Sequence, residues 1–380
     1  MTNPFLELKA LGQSVWLDDI DRGQLRSGLF QRLIDEDGLS GATGNPTIFE
    51  HSITHDTTYD QQMQQLLVLR KNSQEIYEAL AMTDVSTVAD LLRPTYERTN
   101  GQDGFVSIEV SPYLAHDTEG TLSEVRRFWE TIDRLNLMVK IPSTPEGVPA
   151  IRQALSEGIN INITLIFSVE NYRQVAEAYL SALEDRLAAG KDISRIASVA
   201  SFFVSRVDVL VDKLLEDKMK ATSVSAEQQK LKALQGKAAI ANARVAYQDF
   251  KRLFGTPRFE ALKQQGARVQ RPLWASTGTK NPAYRDVLYV EELIGPDTVN
   301  TMPLKTLESF RDHGRVHLSI EEDIPQAGAV SAALQAAGID YDQVTRQLQE
   351  EGVQKFIDSF DTLFRCIDNK RKVLQQERGM

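Results

Sequence analysis

Two hydrophobic rhythms alternate along the chain. Short runs that are apolar at every second position read as strands, and longer stretches with apolar residues three or four apart read as helices. The first run is Val15-Trp-Leu-Asp18, which puts Trp16 and Asp18 on one face and Leu17 on the other. Residues 23–35 carry helical spacing, and 39–43 form a strand-like piece ending in Gly-Asn45-Pro46. Helices are predicted over about 57–69 and 73–96, then a strand, Phe105-Val-Ser-Ile-Glu-Val110, with Ser107 and Glu109 on one face. A helix over about 121–135 leads to Leu137-Met-Val-Lys-Ile-Pro-Ser143, a strand that Pro142 terminates by lacking an N–H. Pro145 suits the first turn of the next helix. Residues 158–166 alternate strictly, with Asn160, Asn162 and Thr164 opposite the isoleucines and Leu165.

After a helix over about 169–189 come a strand at 196–201 and a helix at 203–220. A polar connection at 221–226 precedes one long helical stretch, 227–254. The strand at 267–276 contains Pro272, which predicts that its paired part starts later. A helix at 284–293, a short strand at 297–300, a helix at 303–311 and an all-helical tail complete the pattern. Eight strand candidates result, holding Asp18, Asn45, Glu109, Lys140, Thr164, Ser201, Ser276 and Asn300. Strands alternating with helices imply a parallel sheet, and eight such units favour a (β/α)8 TIM barrel with additional helices. No GxGxxG or Walker motif argues for an open sheet. The expectation is one domain over residues 1–380, decorated by helices at the N-terminus, between strands (about 219–254) and in the tail (about 325–376).

Composition narrows the partners. Hydrophobic residues at 42% and charged residues at 25% fit an ordinary globular protein. A net charge of -10 without a basic stripe argues against nucleic acid, so an anionic substrate needs a local basic cluster. One cysteine, Cys366, excludes an intrachain disulfide and suits a reducing cytoplasm. There is no signal-like segment and no apolar run near membrane-spanning length, so no membrane association is expected. His51 and His55 lie four apart but lack a companion carboxylate, and no HExxH or CxxC occurs; no metal site is expected.

The candidate chemistry centres on Lys140. Its neighbours Val139 and Ile141 pack outward, so Lys140 points inward at a strand's C-terminal end. Burial disfavours an ammonium by up to ~5 pKa units, and a neutral amine is what Schiff-base chemistry requires. The competing reading is a lysine whose stem is packed and whose charge stays wet. Company decides between them. Asp18, Asn45, Glu109, Asn162, Thr164, Ser201 and Ser276 also end their strands or lie just beyond. A parallel sheet is covered on both faces, so a polar face must be the barrel interior, where active sites sit at the C-terminal ends of the strands. Two local ambiguities remain open: Asp18 or Asp19 could cap the following helix, and Glu109 could pair with Lys140 as a structural ion pair.

Seven segments in order carry a resemblance: Trp16-Leu-Asp-Asp-Ile20, Gly44-Asn-Pro-Thr-Ile-Phe49, Val106-Ser-Ile-Glu-Val110, Met138-Val-Lys-Ile-Pro142, Ile161-Asn-Ile-Thr-Leu-Ile-Phe167, Ser201-Phe-Phe-Val-Ser-Arg-Val-Asp208 and Trp274-Ala-Ser-Thr-Gly-Thr-Lys280. With these the chain resembles transaldolase, in the longer form with helical additions, over nearly its full length. The resemblance implies a class I mechanism with no cofactor and no metal. It makes Lys140 the Schiff-base lysine, Asp18 the base at the C4 hydroxyl, and Glu109 with Thr164 the pair that holds a proton-shuttling water. Asn45, Asn162 and Ser201 grip the dihydroxyacetone fragment, and Phe203 matches an aromatic lining the water pocket. Arg206 matches the family's phosphate-binding arginine. A second arginine, common after the serine equivalent to Ser276, is absent; Lys280 stands ready to replace it, with Ser276 and backbone N–H groups around Gly278.

The implied reaction transfers dihydroxyacetone from sedoheptulose 7-phosphate or fructose 6-phosphate to glyceraldehyde 3-phosphate or erythrose 4-phosphate, in the pentose phosphate pathway. Two alternatives stay open: a fructose-6-phosphate aldolase, and a sugar-phosphate-binding barrel without turnover. A glycosidase built on Asp18 and Glu109 leaves Lys140 without a role. The sequence leaves open monomer or homodimer, and whether the tail helices cap the barrel mouth or form a subunit contact.

Overall fold

Eight parallel strands close on themselves in chain order: β1 Gln13–Leu17, β2 Gly41–Thr43, β3 Phe105–Glu109, β4 Leu137–Pro142, β5 Ile161–Ile166, β6 Ser198–Phe203, β7 Arg271–Ala275 and β8 Thr298–Met302. The seam is the pairing of β1 with β8, which runs in register from Gln13 opposite Thr298 to Leu17 opposite Met302. The structure is a computed structural model and describes residues 3–18, 20–44, 53 and 57–377. Sixteen α-helices among the described residues surround the strands, so the fold is a (β/α)8 barrel with additional helices.

Register decides which side chains face inward. Glu109 lies opposite Lys140, and Lys140 opposite Asn162, so all three stand on one face of the sheet. Trp16 and Gly41 are paired in register with Phe105, two inward positions below Glu109. A Cβ on Gly41 would fall 2.3 Å from the indole, so only glycine leaves room for Trp16 inside the barrel. Trp16 donates from Nε1 to Asp103 Oδ1 at 2.9 Å, which anchors the floor of the barrel. The outward residues Val139, Ile141, Ile161 and Ile163 are fully buried under the helices. Burying a side chain of this size contributes about 1.5–3 kcal/mol.

Several expectations are corrected. The predicted helix 23–35 is two helices, Arg22–Arg26 and Leu29–Asp37, broken where Gly28 turns left-handed at φ 74°. The long stretch 227–254 is likewise two, Ser225–Lys232 and Ala238–Leu253, with Gly236 at φ 69° between them. Pro145 lies in the turn before its helix, which begins at Gly147. The paired part of the strand predicted at 267–276 does start later, at Arg271, with Pro272 as the second residue of β7. Phe203 ends β6, and the next helix, Ser205–Ala221, starts two residues later. Of the helix predicted at 284–293, only Leu288–Glu291 is α-helical. The strict alternation of β5 fails at Leu165: its φ is +59°, and the register with β6 shifts between Ile163 and Ile166, a bulge.

The tail holds two helices, Ile324–Ala336 and Tyr341–Glu377. The second reaches the C-terminal mouth of the barrel, where its Phe356 lines the cavity. Among the described residues, no helix is long and apolar enough to cross a membrane.

Candidate active site

A cavity of about 290 Å³ opens at the C-terminal ends of the strands. Asp18, Glu109, Lys140, Thr164, Ser201, Phe203, Arg206, Ser276 and Lys280 all line it, brought together from six strands and their loops. Asn162 does not. It sits beneath Ser201, accepting from Ser201 Oγ at 2.7 Å and donating to Ser107 Oγ at 3.0 Å. Its contact with the cavity therefore runs through Ser201. Asn45 lies outside the described residues.

Lys140 and Glu109 are neighbours because β4 and β3 pair in register at those positions. Lys140 is 7% exposed and Glu109 8%, and Lys140 Nζ donates to Glu109 Oε2 at 3.1 Å. The contact is direct. Burial pushes the Glu109 carboxyl above its ordinary range, Lys140 opposes this, and Asp18 adds repulsion. A carboxyl held high beside an amine is suited to taking up and returning a proton.

Asp18 follows β1 by one residue, and its backbone N–H bonds the Met302 carbonyl at 2.8 Å across the seam. Thr43 Oγ1 donates to Asp18 Oδ1 at 2.8 Å and also meets Thr301 Oγ1 at 3.1 Å. The helix that follows is capped by Asp21, whose side chain accepts from Gln24 N–H. Asp18 is thus free of capping and turned to the cavity. Thr164 Oγ1 is buried with no hydrogen-bond partner among the described residues, a group placed to bind water or substrate.

The phosphate candidates form the outer part. Arg206 lies in the first turn of the helix Ser205–Ala221, stacked over Phe203 at 5.0 Å from the ring centroid. Its Nη1 is buried and unpaired among the described residues. Burial lowers the guanidinium's pKa, and Asp18 and Glu109 counter that. Ser276 adopts a left-handed φ of 56°, and its Oγ shares a 2.9 Å hydrogen bond with Ser205 Oγ. Thr277 pins the same loop to Asn300 Oδ1 at 3.0 Å. Lys280 is exposed and makes no ion pair among the described residues. The cavity therefore sets three cations against two carboxylates, a balance suited to an anionic substrate.

Thr43, Thr301 and Phe356 belong to this wall and were not singled out from the sequence. Thr43 and Thr301 could have been found from strand alternation, two residues from the inward positions Gly41 and Val299. Phe356 carried no such signal.

Fold and site together define a barrel enzyme built on a buried lysine–carboxylate pair. The family model described as Transaldolase/Fructose-6-phosphate aldolase matches residues 15–367. The transaldolase of Acidothermus cellulolyticus is 48% identical over 380 residues, covering 100% of both chains. That of Trichodesmium erythraeum is 46% identical over 98% of this chain and 99% of its own, and transaldolase 2 of Nostoc punctiforme is 47% identical over the same shares. The chain belongs to the transaldolase/fructose-6-phosphate aldolase family.

Proposed function

We propose that the chain catalyses transaldolase-type transfer of a dihydroxyacetone unit from a ketose phosphate to an aldose phosphate, through a Schiff base on Lys140. The neutral amine attacks the ketone carbon, and the resulting carbinolamine loses water to leave an iminium. Asp18 takes the proton of the C4 hydroxyl, the C3–C4 bond breaks, and the electron pair flows to the iminium, giving an enamine and a free aldose phosphate. An acceptor aldehyde then undergoes the reverse sequence, and hydrolysis restores the amine. Glu109 and Thr164 handle the proton and the water of carbinolamine formation and loss. Ser201, held by Asn162, grips the dihydroxyacetone part together with Asn45, while Arg206, Ser276 and Lys280 receive the phosphate. Phe203 keeps the arginine stacked. The same reading takes residues 1–380 as one barrel domain. It also places the enzyme in the cytoplasm, where its lone Cys366 stays reduced.

The observation that carries the proposal is the direct Lys140–Glu109 contact at 3.1 Å inside the cavity. Without chemistry to perform, burying such a pair is a poor route to stability. Borohydride reduction in the presence of fructose 6-phosphate should leave a stable adduct on Lys140, because only an iminium is trapped. Lys140→Arg should leave none, since a guanidinium stays charged near pH 7. Normal turnover in that variant overturns the assignment. Transfer rather than release of free dihydroxyacetone is favoured because the full-length relatives bear the name transaldolase.

A further inference from the structure

The helix Tyr341–Glu377 crosses the barrel mouth. Gln349, Gly352, Val353 and Phe356 recur three and four residues apart and share one of its faces. That face is turned to the barrel. Gln349 Nε2 donates to the carbonyls of Ser143 at 3.1 Å and Leu165 at 3.2 Å, at the ends of β4 and β5. Gly352 lies against Leu165, the bulged residue of β5; a Cβ there would come within 2.9 Å of Leu165 Cδ2. One turn on, Phe356 reaches the cavity, with Lys140 Nζ 5.6 Å from its ring centroid. Beyond it, Phe360 and Phe364 pack on Tyr77 at 5.2 Å and 6.1 Å, so the helix is held on both sides of Phe356.

The reaction proposed above passes through an enamine on Lys140, and an enamine has two fates. It can attack an acceptor aldehyde, forming a C–C bond. Alternatively, its carbon takes a proton from water, water adds to the iminium so formed, the C–N bond breaks, and dihydroxyacetone leaves with the amine restored. The first fate is transfer and the second is release. Much of the cavity wall is polar and able to carry water, including Asp18, Thr164 and Ser201. Phe356 is the apolar side chain that a helix outside the strands brings next to Nζ.

We infer that Phe356 is a specificity-determining residue: its ring keeps water from the nitrogen that bears the enamine, and so sets the ratio of transfer to release. This rests on the Schiff-base reading. Its ring face is also attractive to the cationic iminium, which favours the bound intermediate over hydrolysis.

The test uses fructose 6-phosphate with and without erythrose 4-phosphate, and measures free dihydroxyacetone, transfer product and borohydride-trapped adduct. Phe356→Ala should raise the dihydroxyacetone released per transfer by about tenfold, with a borohydride-trapped adduct still detectable on Lys140. Phe356→Leu keeps apolar bulk and a packed helix and should fall between. An unchanged ratio in these variants, whether or not both rates drop together, makes the ring merely structural and overturns the inference. Absence of a trapped adduct in the unsubstituted chain overturns the Schiff-base reading itself, before any variant is compared.

Discussion

Glu109 accepts a hydrogen bond directly from Lys140, with no room left for a water on the 3.1 Å line between them. On the proposed mechanism, substrate must displace the carboxyl from the amine. Glu109→Gln keeps an acceptor for Nζ but cannot take a proton. The expected result is a fall of about 10²-fold or more in the rate at which borohydride-trappable adduct appears. Rapid-quench single turnovers check this. An adduct rate equal to that of the unsubstituted chain would remove Glu109 from the proton path.

Asp18 should behave in the opposite way. Asp18→Ala is expected to form adduct at close to the normal rate and to cleave it poorly. Thr43→Val deletes the 2.8 Å hydrogen bond to Asp18 while keeping the shape of the side chain. Hydrogen bonds to charged groups contribute about 1.5–3 kcal/mol, so a fall in kcat of about tenfold or more is expected, with adduct formation spared. Equal loss of adduct formation and cleavage in Asp18→Ala would show a structural carboxylate.

The two phosphate candidates differ in surroundings and should differ in effect. Arg206 is half-buried with a buried Nη1 that is unpaired among the described residues, whereas Lys280 is exposed. Arg206→Gln should raise KM for a phosphorylated ketose by about 10–100-fold. Lys280→Ala should raise it only a few-fold, since an exposed charge is screened. Neither should alter KM for an unphosphorylated ketose, and steady-state kinetics with matched sugars tests all of these.

Much of this was legible in the sequence, for a physical reason. A parallel barrel hides one face of every strand, so a charged or amide residue on that face cannot be solvated from outside. Glu109, Lys140 and Thr164 announce the interior in that way. The chain breaks at Gly28 and Gly236 were equally available, because a glycine inside a helical pattern weakens the helix at that point. The bulge at Leu165 was not available: a leucine at positive φ is imposed by its neighbours. Phe356 was hidden for a related reason. On its own helix it looks like any residue of an apolar stripe, and only docking against β4 and β5, far earlier in the chain, turns it toward Lys140.

Stability should depend on pH through Asp208, a buried group outside the cavity. Its carboxyl accepts from the Ala239 N–H at 2.8 Å and from the Tyr289 hydroxyl at 2.8 Å. Burial pushes it from 3.8 up to about 7, against the pull of these hydrogen bonds. Between those values the folded chain holds a proton that the unfolded chain has lost. Stability therefore falls as pH rises through this window, by at most about 1.4 kcal/mol per pH unit from this group, and levels off above it. Urea melts at several pH values should show a shallower fall in Asp208→Asn than in the unsubstituted chain. Parallel curves would place the proton elsewhere.

The seam between β1 and β8 has one more consequence. Asp18 is tethered there by its own amide to Met302, so the proposed base gains its position only when the first strand meets the last. Lys140 and Glu109 lie on adjacent strands, β4 and β3, whose pairing does not run through that seam. A half-assembled molecule would then own a nucleophile but no means of breaking the sugar. On the proposed mechanism, cleavage thus depends on closure of the barrel at this seam.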